Sequence, residues 1–543
     1  MDFALLPMLI GVPLVGALLC ALSGEKGPTR AIALVTALLH FAIAGYAATR
    51  FDWDIRLEQL MAELGTFAPL NFSLKVGVDP LSMLLVLTTS VLSSVSILAS
   101  FSRAGGAGSK DGAYYAWLLV LLGTMTGVWV ARDLLLFYAF FELILVPLFF
   151  LIGTFGGPDR RMAAGKIFLY TFAGSILALP AILYVGLRAG TFDIGSVIHW
   201  AQAEGNLSAG ERFWVLMGLL ASFCVKTPIF PLHTWQPTAM GEAPGNGVVD
   251  ASGMVLKLGA FAMLKIAVPI GFVSAGGLAA PTALTVVAVL AVIGILYGGL
   301  CAWAQTDAKR VLAYSSLSHV GFVVLGIMAL TDIGMRGASL YLINTAITTG
   351  GLFLIVGMIY ERYGTRDLTE LGGLGKVMPL GAFFFGLFTM AAIGLPLLNG
   401  FVSEFLTILS AFTSPYLGIG FGVCAALGIV LGAIYMLSMA GKLLFGPLKV
   451  PAEGKVPAVM RGDLNFREVT ALAPLAVLIV VLGVFPQPVL DTLRYTVEPL
   501  RAPVAAAEAR ANATASGGAS IVASIDADIA VETDGRTKGE GGR

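Results

Sequence analysis

Apolar runs of about 18–25 residues recur along most of this chain, and short polar stretches separate them; each run is long enough to cross a bilayer as a helix. They begin near Ala4, Ala31, Leu81, Ala113, Asp133, Ala164, Phe213, Gly247, Ala279, Val311, Gly337, Met378, Leu417 and Thr470. Together they predict about 14 spans. The alternation expected of transmembrane β-barrel strands is absent, so the fold class expected is an all-α polytopic membrane protein. Two of the runs carry helix breakers. Pro228 and Pro231 interrupt the seventh, and Gly394-Leu-Pro396-Leu-Leu-Asn399-Gly400 interrupts the twelfth.

Basic residues in short loops favour the cytoplasmic side. With the N-terminus outside, that side receives Lys26 and Arg30, Arg103 and Lys110, Arg160, Arg161 and Lys166, Lys309 and Arg310, and Arg362, Arg366 and Lys376. Lys442, Lys449, Lys455, Arg461 and Arg467 join them only if Met378–Phe412 crosses once, as a broken helix. Both termini are then expected on the outer side of the cell inner (plasma) membrane. The two broken helices lie five spans apart, an odd offset that reverses their direction, as inverted repeats require. The expected organisation is helices one to three in 1–112, a first five-helix repeat in 113–272 and a second, inverted one in 273–445. A cytoplasmic loop and last helix follow in 446–495, then a disordered tail in 496–543, rich in Ala, Gly, Ser and Asp. The mixed polar and aromatic stretch Phe51–Asp79 reads as a short structured cover on the outer side.

Composition agrees with a membrane protein. Of 543 residues, 57% are hydrophobic and only 12% charged, against roughly 25% charged in a soluble domain. Lys+Arg and Asp+Glu balance at 33 each, so no nucleic-acid partner is expected. Cys20, Cys224, Cys301 and Cys424 stand singly in apolar stretches, and His40, His199, His233 and His319 form no ligand cluster. No Gly-rich nucleotide loop and no cysteine array for an iron–sulfur cluster is present. No cofactor is expected in this chain. The start, Met1-Asp-Phe, lacks the basic region of a signal peptide and reads as the first span.

Charges inside the apolar runs carry the candidate chemistry, because an ionisable group at mid-membrane costs roughly 2.5–3.5 kcal/mol on insertion scales. Lys226 falls at the proline break of the seventh run, and Glu142 lies in the otherwise apolar Phe137–Pro147. A buried carboxylate and a buried ammonium are expected to pair, and their separation would tune proton affinity. The plainer reading is a lysine bonding carbonyls freed by proline. Lys257 shares a helix face with Asp250, seven residues earlier; the two exchange protons through water or simply neutralise each other. Lys265 lies roughly 80° around from Lys257 and nearer the outer boundary, a place for snorkelling. Glu404 follows the second break. His319, among hydroxyls in Ser315-Ser-Leu-Ser-His319, suits a proton relay because histidine titrates near neutrality. His233 closes the first break, where it either joins the relay or caps freed carbonyls.

These residues sit in a set of ordered motifs. They include Phe141-Glu142-Leu with Pro147, Lys226-Thr-Pro-Ile-Phe-Pro-Leu-His-Thr-Trp-Gln-Pro237, Glu242-Ala-Pro244, Leu256-Lys257-Leu-Gly259 and Gln305-Thr-Asp-Ala-Lys-Arg310. Tyr314-Ser-Ser-Leu-Ser-His319-Val-Gly-Phe322, Glu361-Arg-Tyr-Gly-Thr-Arg366, Gly400-Phe-Val-Ser-Glu404-Phe and Gly483-Val-Phe-Pro-Gln-Pro-Val-Leu490 continue it. Over residues 1–495 the chain resembles the antiporter-like membrane subunits of respiratory complex I. The acid at 404 and Thr365-Arg366-Asp367 favour the M-type branch.

The resemblance implies a proton channel in the membrane arm, driven by quinone chemistry in another subunit. Its partners would be the L- and N-type antiporter-like subunits and the lipid bilayer, with quinone involved only indirectly. It implies that Glu142 modulates Lys226, that Lys257 and His319 relay, and that Glu404 delivers protons outward. Two stretches depart from the pattern. Gly245-Asn246-Gly247-Val248, with Asp250, replaces the usual Thr-Ala-Gly-Ser, and Thr345, beside Asn344, stands where the family commonly has a histidine. Asn344 or Thr345 with bound water would then have to link His319 to Glu404. Two other functions stay open: a subunit of a multi-subunit cation/proton antiporter, and a structural anchor of a hydrogenase-like complex.

Overall fold

Helices dominate because a bilayer offers backbone groups no partner but each other. The structure, a computed structural model, describes residues 2–23, 28–55, 58–67, 71–102, 111–244, 249–451 and 462–515, and their side chains except those of 2, 249–253 and 511–515. Lys26, Arg103, Lys110, Lys455 and Arg461, the 245–248 stretch, the Asp250 side chain and residues 516–543 lie outside the described residues. Within them, 12 helices are long and apolar enough to cross a membrane. Both proline-bearing runs are broken: Ala209–Lys226 is followed by Trp235–Glu242, and Pro379–Ala392 by Asn399–Thr413.

Proline chemistry explains these breaks and three further irregularities. Pro228 has no N–H for the Cys224 carbonyl, which Ile229 N takes instead at 3.0 Å. The Val225 carbonyl is capped by the indole Nε1 of Trp235 at 2.9 Å. That is the role the sequence offered His233, whose buried Nδ1 has no protein partner. Pro147 and Pro180 split two helices that the sequence reads as continuous, into Leu134–Leu143 with Leu145–Phe155 and Arg160–Ser175 with Ala178–Ala189. In each, the turn preceding the proline loses its i to i−4 bond. Pro269 lies in a π-helical stretch, Met263–Phe272, that ends the eighth span.

Two aspartate brackets expose the internal repeat. Asp133 caps Leu134–Leu143 by accepting from Leu135 N and Leu136 N at 2.8 and 3.2 Å. Asp307 caps Ala308–Met328 in the same way, from Lys309 N and Arg310 N at 2.8 and 3.2 Å. Asp133 bridges to Asp193 and Asp307 to Asp367, at the same separation in sequence. Five crossings lie between the two brackets, so they sit on opposite faces of the membrane, which is the signature of inversion. The hairpin of Gln59–Phe67 and Phe72–Val78 lies over the first bracket. It contributes Ser73 N to Asp133 at 3.0 Å and Lys75 Nζ to Asp193 at 2.5 Å.

At the centre stands the unbroken 32-residue helix Asp332–Tyr363, whose most apolar stretch is wholly buried. It touches spans three, eight, ten, twelve and fourteen and the C-terminal helix. That last helix corrects the expectation of a disordered tail from 496: residues Gln487–Ala515 are helical. Leu493, Val497, Leu500 and Val504 recur at helical spacing and are buried, while Arg501 donates to Leu330 O at 2.8 Å. The helix is too polar to enter lipid, but one apolar stripe is enough to dock it on the bundle.

Candidate proton path through the two breaks

The first site forms where Lys226, the last residue of the helix before the proline break, meets the interruption in span five. Its Nζ lies 3.0 Å from Glu142 Oε1 and donates also to the Phe141 carbonyl. The Phe141 ring centroid is 3.5 Å from the ammonium. Glu142 Oε2 accepts from Ser175 Oγ at 2.7 Å, at the end of the first half of span six. Three helix interruptions thus converge on one ion pair. The two splits missed by the sequence reading bring Phe141 O and Ser175 to the charges, and a buried pair is tolerated when its remaining bonds are satisfied in this way.

Lys257 is fully buried in the eighth span, and no described side chain pairs with its ammonium. Its helix, Val249–Ala262, packs on one side against Ala209–Lys226 and on another against the helices bearing His319 and Tyr341. Gly259 permits the first approach: a Cβ there would lie 2.6 Å from Phe223 O. Lys257 therefore occupies the element between the two breaks.

The second site lies beside the break of span twelve. His319 Nδ1 is 2.7 Å from the hydroxyl of Tyr341, which donates to Glu404 Oε1 at 2.5 Å. The direct His319 Nδ1–Glu404 Oε1 separation is 3.3 Å. Gly394, with φ +77°, admits the carboxylate; a Cβ there would collide with Glu404 Oε2. Ser315, Thr345, Thr348 and Thr349 line the same narrow chamber. Tyr341 is the residue that sequence reasoning missed. Its signal was a phenol one helical turn before Thr345 in an apolar run, where a buried hydroxyl needs a partner.

The remaining candidates are placed otherwise. Asn344 Nδ2 donates to Asn399 O at 2.7 Å and Ser403 Oγ at 3.2 Å, so it clamps the break. Thr345 Oγ1 donates to Tyr341 O within its own helix at 2.7 Å. Neither bridges His319 to Glu404 by direct hydrogen bonds. Lys265 does not snorkel. Its Nζ pairs with Asp79 Oδ2 at 2.9 Å, in a buried cluster with Arg132 and the Thr496 hydroxyl of the C-terminal helix. Burial pushes the Asp79 carboxyl up, but Lys265, Arg132 and the bond from Ser82 outweigh it and hold it well below the usual carboxylate range. His233 stacks on Phe230 and meets Tyr297 edge-on.

A charged clamp at the second bracket joins the repeats. Arg366 donates to Gly241 O and lies 3.1 Å from Asp307 and 3.8 Å from Glu242, while buried Lys309 donates to Ala243 O at 3.1 Å. Gln236 Nε2 reaches Ala313 O at 2.9 Å. The C-terminal half of the first broken helix is therefore pinned to the opposite repeat.

Over residues 131–432 the chain matches the family model described as NADH:quinone oxidoreductase/Mrp antiporter, transmembrane. It is 35% identical over 510 residues to NADH-quinone oxidoreductase subunit M of Pseudomonas aeruginosa, a match covering 90% of this chain and 95% of that one. The chain belongs to the subunit M family. A chain of respiratory complex I from Thermus thermophilus superposes on it with a TM-score of 0.80 at 29% identity, over 92% of this chain and 99% of that one. A chain of the Mrp complex from Dietzia sp. DQ12-45-1b gives 0.79 at 21% identity over 93% and 99%, a likeness of fold. Within the subunit M frame, Lys226 stands at the break of the first repeat, Glu404 beside that of the second, and Lys257 in the span between them.

Proposed function

We propose that this subunit M relative moves protons across the membrane as a membrane-arm subunit of an NADH- or ferredoxin-driven quinone oxidoreductase, and that it holds no redox centre itself. Its partners are the other antiporter-like subunits of the arm. Protons are taken up from the cytoplasm near the eighth span, pass Lys257 and His319, and leave beyond Glu404, with both termini on the outer side. The observation that carries this reading is the Lys226–Glu142 pair at 3.0 Å, set where three interrupted helices meet. Shifting that pair alters the proton affinity of the buried lysines, since an ammonium without its carboxylate loses its proton more readily. The energies match. One charge moved against 100 mV requires about 2.3 kcal/mol, and a shift of roughly two pKa units at one lysine supplies about 2.7 kcal/mol.

The cation/proton antiporter reading is supported by the shared fold, but identity to subunit M over 90% of the chain favours the oxidoreductase. The test is proton pumping by the assembled complex in sealed vesicles, wild type against Lys257→Ala. Retention of the full proton-to-electron ratio in the variant removes this relay.

A further inference from the structure

We propose that Tyr341 is a catalytic residue of proton transfer, its phenol carrying the proton between His319 and Glu404. This rests on the reading of His319 and Glu404 as relay groups. The geometry assigns the direction of each bond. When Glu404 is ionised it only accepts, so in that state the single hydroxyl proton of Tyr341 is committed to Oε1 at 2.5 Å. The hydroxyl must then accept from His319, which fixes a proton on Nδ1 at 2.7 Å. The direct path from Nδ1 to Oε1, at 3.3 Å, is longer than either bond through the hydroxyl.

Transfer is a paired hop. The Nδ1–H bond of the imidazolium breaks as a new O–H forms on Oη, while the original Oη–H bond breaks and an O–H forms on Glu404 Oε1. No electrons leave or join any group, and the phenol ends neutral. The histidine becomes neutral and the carboxyl becomes protonated. Once Glu404 has released its proton outward, rotation of the hydroxyl back toward Glu404 and arrival of the next proton on His319 restore the starting state.

The surroundings fit this duty. Tyr341 is fully buried, with its ring held edge-on against His319 at 6.0 Å and tilted against Phe322 at 6.3 Å. Its helix has no internal proline and is the central element of the bundle, so the phenol is held still while only its proton moves. The hydroxyls of Asn344's neighbour Thr345 and of Ser403 are spent on backbone carbonyls, at 2.7 and 3.2 Å. They leave Tyr341 as the direct link.

The experiment uses the assembled complex in sealed vesicles, with the proton-to-electron ratio measured for Tyr341→Phe, Glu404→Gln and the double variant. Tyr341→Phe keeps the ring and removes only the hydroxyl. The expected result is a fall of about tenfold or more in this subunit's proton transfer, matching Glu404→Gln, with no further loss in the double variant. If Tyr341→Phe pumps normally while Glu404→Gln does not, the proposal is overturned and the relay reading stands. If both pump normally, the relay reading itself fails. A second measurement covers the case in which Tyr341→Phe does not assemble: fluorotyrosine at position 341, which keeps shape and bonds but acidifies the phenol, should move the pH profile of pumping, and an unmoved profile overturns the proposal.

Discussion

Arg366 and Glu242, 3.8 Å apart, connect the second repeat to the end of the first broken helix. Arg366 also donates to the Gly241 carbonyl and pairs with Asp307, the residue that caps the helix bearing His319. A movement of the first break is therefore felt at the start of the tenth span through this guanidinium, together with the Lys309 and Gln236 contacts. Arg366→Ala is expected to leave the complex assembled and to uncouple it, with quinone reduction retained and pumping reduced severalfold. Pumping at the wild-type ratio would show that the clamp is only scaffolding.

Glu142→Ala removes the carboxylate facing buried Lys226. Breaking one side of a buried pair costs about 3–5 kcal/mol while the other stays charged, so Lys226 should instead discharge. Coupled quinone reduction and pumping should both fall, and an uncoupler should not restore the first. Ser175→Ala, which deletes a bond of about 1.5–3 kcal/mol to the same carboxylate, should give a milder loss with a shifted pH optimum.

Gly394 combines a left-handed backbone with contact to Glu404. Gly394→Ala should cost about 1–2 kcal/mol from backbone conformation and displace the carboxylate from Tyr341 as well. Pumping should fall nearly as far as in Glu404→Gln, with a lowered melting temperature of the complex. A variant that melts lower but pumps fully would separate the two effects.

Asp79 holds Lys265, Arg132 and Thr496 together in one buried cluster. Its carboxyl titrates well below the unfolded value of about 3.9, so its contribution is complete above that pH and is lost as pH falls through the folded value. Asp79→Asn, leaving two cations buried, should lower the melting temperature by the same amount at pH 5 and pH 8. The difference from wild type should narrow only below about pH 4. A difference that widens on acidification would contradict this assignment.

Arg501 fastens the C-terminal helix through Leu330 O at 2.8 Å and Glu508 at 2.5 Å. Arg501→Ala should cost about 1–3 kcal/mol, read as faster proteolysis of this helix with pumping unchanged. Unchanged proteolysis would mean that the apolar stripe holds it alone.

The periodicity of apolar runs determined the helical membrane fold and the breaks at Pro228–Pro231 and Gly394–Gly400, because a bilayer leaves each run one option and proline removes a bond whatever surrounds it. The charges inside the apolar runs were legible for the same reason: Glu142, Lys226, Lys257 and Glu404 stand out where only apolar residues are cheap. Tertiary structure decided their partners. Nothing local tells that Lys265 meets Asp79, since the two lie far apart in the chain and only folding gives the ammonium a carboxylate in place of water. Packing likewise brought Tyr341 between His319 and Glu404, and it made a helix of residues 496–515. There an amphipathic stripe too weak for lipid finds a complementary protein surface, a fact that only the assembled bundle supplies.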